Sequence, residues 1–257
     1  MTRVSSPSPF SLENRTALVT GANTGLGRAL AIALARAGAD IAAVGRTPPT
    51  ATAESVTALG RRIEFIDADL REPNRAGAIV AEALRRFDGI DVLVNNAGII
   101  RRNDALEFDE TDWDDVMNVN LKTVFFLSQA VARHVVDRRR RGKIINVASM
   151  LSFQGGVRVA SYTASKSGLA GLTKMLANEW APRAINVNAI APGYFATDNT
   201  TALRADEKRN AEILARIPAG RWGEPEDLAG AAVFLASAAS DYVHGVILPV
   251  DGGWLAR

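Results

Sequence analysis

Ser149, Tyr162 and Lys166 are the residues of this chain whose types and spacing suit proton chemistry. Tyr162 and Lys166 stand four apart, so a helix running from about Ser161 puts them one turn apart on the same face. An ammonium beside a phenol favours the phenolate and pulls it down from its ordinary pKa of about 10. A phenol so tuned gives a proton to a developing alkoxide, or takes one from an alcohol, near neutral pH. Ser149 closes the apolar run 143–148 and is placed to hydrogen-bond the same substrate oxygen. Tyr and Lys at this spacing also meet by chance on helices, so the weight falls on the elements around them.

The first of these is a β-type run over 16–20, followed at once by Gly21, Ala22, Asn23, Thr24, Gly25, Leu26 and Gly27, and then by a helix-forming stretch over 28–37. Strand, glycine turn and helix make the first half of a dinucleotide site. The glycines let the backbone approach a pyrophosphate, and the helix N-terminus offers free N–H groups. A second strand over 40–44 ends in Gly45 and Arg46. An acid here would hold a ribose 2′-hydroxyl, whereas an arginine suits a 2′-phosphate or simply faces water. A third strand over 62–66 leads to Asp67, Ala68, Asp69 and Leu70, and a fourth over 91–94 leads to Asn95, Asn96, Ala97 and Gly98. One long helix over 113–135 carries Asn118 and Asn120 in its interior, where asparagine competes for backbone hydrogen bonds and a kink can form. The fifth strand delivers Ser149, and the helix after it delivers Tyr162 and Lys166. A sixth strand over 185–190 ends near Pro192, Gly193 and Thr197. Residues 194–222 are polar and arginine-rich, with one helix near 205–216, and read as a substrate lid. A helix over 225–236 and a last strand over 246–250 complete the chain. No linker divides it, so one domain over 14–257 is expected, after a loose Ser- and Pro-rich lead-in over 1–13.

The chain has 257 residues, 47% hydrophobic and 23% charged, with a formal charge of +2, which is the balance of an ordinary globular protein. A nucleic-acid partner is not expected from so small a charge, and the run Arg138–Arg141 reads as a solvated loop. No cysteine is present, so disulfides and thiolate chemistry are excluded, and two distant histidines make no metal site. No apolar run reaches the length of a membrane span and no secretory leader is read at the N-terminus, so a cytoplasmic, membrane-free protein is expected.

Together the motifs resemble the classical short-chain dehydrogenase/reductase family. Thr20-Gly21-x3-Gly25-x-Gly27, Asn95-Asn96-Ala97-Gly98, Asn120, Ser149, Tyr162-x3-Lys166 and Pro192-Gly193 stand in family order over essentially the whole chain. The segments MLSFQGG and RIPAGRWG are similar to those of family members that act on sugar acids in the breakdown of pectin and other uronate polymers. The resemblance implies an α/β single-domain Rossmann fold, a doubly wound seven-stranded parallel sheet flanked by helices. It further implies Tyr162 as general acid or base, Lys166 holding the nicotinamide ribose, Ser149 orienting the carbonyl and Asn120 positioning a relay water. Gly21, Asn23, Thr24, Gly25, Leu26, Gly27, Arg46, Asp69, Leu70, Asn96, Ala97, Gly98, Tyr162, Lys166, Pro192, Gly193 and Thr197 would border the cofactor. That cofactor is expected to be NAD, with NADP open because of Gly45-Arg46. The partner is a small-molecule sugar acid, and a homotetramer is implied, with Trp254 and Leu255 buried either between subunits or within one.

An anionic substrate wants a cation with a planar, bidentate fork. Arg102 and Arg158 are the candidates, Arg216 and Arg221 second choices, and Gln154 and Tyr194 further candidates for the same pocket. Two other readings stay open at this level: a short-chain reductase of another ketone, such as a carrier-linked 3-oxoacyl group, and a dinucleotide-binding redox sensor without catalysis.

Overall fold

Seven short runs, joined by six crossovers, pair into one parallel sheet. In the computed structural model, which describes residues 8–257, these are β1 (Thr16–Thr20), β2 (Asp40–Gly45), β3 (Ile63–Asp67), β4 (Val92–Asn95), β5 (Gly142–Val147), β6 (Ile185–Pro192) and β7 (Ile247–Val250). Their spatial order is β3-β2-β1-β4-β5-β6-β7, and every pair is parallel. The helices are α1 (Gly25–Arg36), α2 (Thr50–Ala58), α3 (Ala76–Arg86), α4 (Glu110–Met117), α5 (Thr123–Asp137), α6 (Ala160–Trp180), α7 (Thr201–Ala205), α8 (Glu207–Arg216) and α9 (Ala229–Ala236). Side chains alternate across a strand, and here both faces are covered, which is why the central strands are mostly apolar, with Asn95, Lys143, Asn146, Asn186 and Asn188 as the buried polar exceptions in β4, β5 and β6. Leu18, Leu93 and Ile144 pack with Ile79, Leu127 and Leu176 of α3, α5 and α6. Val19, Val94 and Ile145 pack with Leu30, Leu34 and Leu235 of α1 and α9 on the other face.

Four expectations need correction. The single helix over 113–135 is α4 and α5 joined by a π-helical turn, Asn118–Lys122. The helix near 205–216 is split into α7 and α8 at Asp206, whose carboxylate accepts the Arg209 N–H at 3.0 Å and caps α8. The run 138–141 is not simply solvated. Arg140 reaches the buried Asp91 at 2.6 Å and Arg141 reaches Asp241 at 2.5 Å. A buried carboxylate must be paired, and Asp91 also takes Arg15 at 3.1 Å and the Thr16 N–H at 3.0 Å. Of the lead-in, residues 1–7 lie outside the described residues. The remainder is tied down, with Leu12 buried at 1% exposure and its N–H bonded to the Ala37 carbonyl.

Candidate active site

The strand order reverses between β1 and β4, and in such a sheet the crevice beyond the C-terminal strand ends is where ligands collect. A cleft of about 540 Å³ lies there. It is lined by Gly21, Asn23, Thr24, Gly25, Leu26 and Gly27 after β1, by Arg46 after β2, and by Asp69 and Leu70 after β3. Asn96, Ala97 and Gly98 line it after β4, Ser149 after β5, and Pro192, Gly193 and Thr197 after β6, with Tyr162 and Lys166 from α6. The structure thus brings every cofactor candidate to one crevice.

The glycine turn is built for close approach. Gly21 and Gly25 have φ of +66° and +51°, and a Cβ on Gly27 would stand 2.1 Å from the Gly21 carbonyl oxygen. Thr24 caps α1 with no side-chain bond to its first turn, so those N–H groups are left for an anion. Thr20 clamps the turn from below. Its hydroxyl accepts the Asn96 and Ala97 N–H groups at 3.0 and 2.9 Å, while Asn96 Nδ2 donates to the Thr20 carbonyl at 2.9 Å. These features fit a dinucleotide pyrophosphate. At the far end Arg46 is exposed beside Asp69. Asp69 is held by Arg71 at 2.6 and 3.0 Å, and this pairing, partly opposed by burial, lowers its carboxyl below the ordinary range.

Ser149, Tyr162 and Lys166 converge at the opposite end. Lys166 Nζ lies 5.7 Å from the centre of the Tyr162 ring and donates to the Val147 carbonyl at 2.5 Å. The sequence predicts a phenol pulled down by this ammonium, and the structure corrects that. Burial raises the Tyr162 phenol above its ordinary value, and the Ser149 hydroxyl and the Arg102 charge pull only partly against it. The lysine itself, 4% exposed, is lowered to about 8 by burial. The phenol is therefore protonated at neutral pH and suited to proton donation.

Asn120 does not line the cleft but stands behind it, wholly buried in the π turn. Its Oδ1 accepts the Ile99 N–H at 2.9 Å, and its Nδ2 donates to the Ile99 carbonyl at 2.9 Å and to Ser165 Oγ at 3.2 Å. Asn120 thus stands in for a strand neighbour from within a π turn, an irregularity that recurs at functional sites.

Arg102 is exposed, lines the cleft and acts on Tyr162 through its charge. Its neighbour Arg101 is committed to Asp112 at 2.8 Å and Asp115 at 3.3 Å. Arg158 is exposed outside the cleft lining, with φ of +62°, its carbonyl taking the Asn103 N–H. Arg221 is paired with Asp227 at 2.6 Å, and Arg216 lies 3.9 Å over the Trp254 ring. Gln154 and Tyr194 are also turned to Trp254 rather than to the cleft. Trp254 is itself 4% exposed within its own chain. The clamping role of Thr20 and the place of Arg71 in the cleft cannot be read from the sequence. The only local signal was Asp69-x-Arg71, two apart after a strand.

A sequence profile described as short chain dehydrogenase matches residues 15–208. The 2-dehydro-3-deoxy-D-gluconate 5-dehydrogenase of Escherichia coli strain K12 is 63% identical over 250 residues, covering 97% of this chain and 99% of that one. The Bacillus subtilis strain 168 protein of the same name is 55% identical over 251 residues, covering 96% and 97%. A crystal structure of a putative 2-deoxy-D-gluconate 3-dehydrogenase from Agrobacterium tumefaciens, with bound NADP, superposes with a TM-score of 0.93 at 60% identity, covering 97% of this chain and 100% of that one.

Proposed function

This chain belongs to the short chain dehydrogenase family and is an NAD(P)-dependent oxidoreductase, and we propose that its substrate is a keto or hydroxy sugar acid, in the reaction of a 2-dehydro-3-deoxy-D-gluconate 5-dehydrogenase. The observation that carries this reading is the convergence of Ser149, Tyr162 and Lys166 on one dinucleotide-shaped cleft in a chain 63% identical to a protein of that name. The nicotinamide, when bound, supplies or accepts the hydride.

In this reading the protein's own groups move the proton and hold the reactants. Tyr162 donates its phenolic proton to the substrate oxygen in reduction and recovers it in oxidation, while Ser149 orients that oxygen. Lys166 supports the ribose, and Asn120 positions the water that links Lys166 to solvent. The glycine turn and the N-terminus of α1 would hold the pyrophosphate, with Asp69 and Leu70 bordering the adenine and Thr197 the carboxamide end. Arg102 anchors the substrate carboxylate, since it is the arginine in the cleft whose charge reaches Tyr162. Exposure of Arg46 beside Asp69 favours use of NADP as well as NAD. The segment 194–222, whose ends meet where Phe195 pairs with Gly223, serves as the substrate lid. We read the protein as a cytoplasmic homotetramer serving uronate and pectin breakdown; among the described residues no helix is long and apolar enough to cross a membrane.

The test is initial rate with NADH and NADPH on 2,5-diketo-3-deoxy-D-gluconate, with kcat/KM above about 10⁴ M⁻¹s⁻¹ expected. Tyr162→Phe should lose at least about a hundredfold in kcat with cofactor affinity retained. Arg102→Met should raise the sugar-acid KM more than about tenfold. Binding of cofactor without turnover of the sugar acid would keep the family and remove the substrate.

A further inference from the structure

Gln154, Tyr194 and Trp254 come from three distant parts of the chain and meet beside the cleft. Trp254 Nε1 donates to Gln154 Oε1 at 3.3 Å, its ring centre lies 4.8 Å from that of Tyr194, and the Arg216 guanidinium covers it at 3.9 Å. Tyr194 in turn meets Trp222 edge-on at 5.4 Å, and the Trp222 indole donates to Asn210 at 2.7 Å. Met150, the residue after Ser149, is buried in the same cluster with Ile213 and Ile217.

The backbone of the C-terminal turn, 251–257, is fitted to the lid at both of its ends. Gly193 sits so close to this turn that a Cβ on it would lie 2.6 Å from the Asp251 Cα. The Gly252 carbonyl accepts the Ala219 N–H at 3.0 Å, and Arg257 donates to the Ala215 carbonyl at 2.7 Å. The Asp251 carboxylate holds the turn in shape through the Gly253 and Leu255 N–H groups, both at 2.9 Å. The lid helices have little other anchorage: α7 buries no residue and α8 buries Ile213 alone. Segments with so few buried contacts open at low cost unless something fixes them.

We propose that Trp254 is a positioning residue, and that the C-terminal turn of the same chain latches the lid onto the turn that carries Ser149. It acts through Met150 and Gln154 on one side and through Tyr194, Ile217 and Arg216 on the other. The sugar-acid end of the cleft then depends on the latch, whereas the pyrophosphate end, built on the glycine turn and the Thr20 clamp, does not. This deepens the dehydrogenase reading given above and rests on it for the substrate readout.

The test uses the full-length enzyme and Trp254→Ala. Hydrogen exchange of amides in 201–216 should quicken at least about tenfold while those of 25–36 stay as in the wild type. The sugar-acid KM should rise at least about tenfold, with cofactor KM within about threefold. Trp254→Phe keeps the ring under Arg216 and against Tyr194 and should restore both readouts to within about threefold, because a 3.3 Å hydrogen bond contributes little. Where Trp254→Ala does not fold, Arg216→Ala removes only an exposed cation from the ring face and should speed lid exchange about two- to fivefold. Unchanged lid exchange in either variant overturns the latch, as does a uniform acceleration across all amides. Absence of wild-type turnover on the sugar acid would instead defeat the substrate assignment, and the exchange contrast would still decide the latch.

Discussion

Burying the Lys166 ammonium should make stability depend on pH in a way that one substitution removes. The residue is 4% exposed, and burial lowers it from 10.5 to about 8. Below pH 8 the ammonium is charged in both folded and unfolded chains, and the fold carries the whole cost of burying it. A fall from 10.5 to about 8 corresponds to roughly 3 kcal/mol. Between those values the unfolded chain holds the proton and the folded one has released it, so stability rises with pH, and the cost is gone above 10.5. Lys166→Met keeps the length of the side chain and cannot titrate. It also strips the Val147 carbonyl of its donor, a loss of about 1 to 3 kcal/mol that changes little with pH. The stability of the variant minus that of the wild type should therefore be greatest at pH 7 and fall by about 2 to 3 kcal/mol by pH 10. Urea unfolding of both proteins at pH 7, 8, 9 and 10, with m held common, measures it. A difference that stays flat across that range would mean that Lys166 titrates at its ordinary value, and the burial argument would be wrong.

Thr20→Val is nearly isosteric but orphans the Asn96 and Ala97 N–H groups, so stability should fall by about 2 to 4 kcal/mol and the cofactor KM should rise; a melting temperature within 2 °C or so of the wild type would sink the clamp. Arg46→Glu places an acid where a 2′-phosphate would sit, and kcat/KM with NADPH should drop at least about tenfold while that with NADH moves less than about threefold; equal effects on both cofactors would make Arg46 a surface residue without a selecting role.

The sheet and the cleft were legible because each rests on local signals. Strands buried on both faces read as apolar runs, and the residues that follow them fall at the crevice by topology alone. That is why the sequence alone brings Gly21, Asp69, Asn96, Ser149 and Gly193 to one place. What stayed hidden depends on contacts between residues far apart. Arg101 and Arg102 are indistinguishable in the sequence, and only the folded positions of Asp112 and Asp115 take one of them away from the cleft. Gln154 and Tyr194 stand close in sequence to Ser149 and to Pro192, yet Trp254, a hundred residues beyond Gln154, turns them aside. Spacing puts Lys166 one turn from Tyr162 but shows neither that its ammonium ends on the Val147 carbonyl nor that burial of the phenol outweighs the Ser149 hydroxyl and the Arg102 charge, so it points to the wrong direction of shift.

The π turn at Asn118–Lys122 joins these two lessons, because it shows a local irregularity imposed by a distant polar demand. The Ile99 N–H and carbonyl lie just past the end of β4, where no neighbouring strand continues the ladder, and Asn120 supplies both missing partners from 21 residues away. Asparagine is a poor helix-interior residue because it competes for backbone bonds; here it sits in the π turn, and its side chain bonds Ile99 and Ser165 on α6 instead. The Gly98 turn is thereby tied to the helix that carries Tyr162 and Lys166, and a Cβ on Gly98 would stand 3.3 Å from Asn120 Oδ1 and 3.7 Å from Lys166 Nζ. The β1 and β4 side of the cleft is thus fixed by buried hydrogen bonds at strand ends, whereas the segment 194–222 rests on the cluster around Trp254 and on a few bonds to the turn 251–257. Buried, fully paired polar groups admit few alternative arrangements, and aromatic contacts under exposed helices admit several. The division suits the function proposed for the cleft: a dinucleotide is held in one geometry, whereas a substrate that enters and leaves needs a wall that can open.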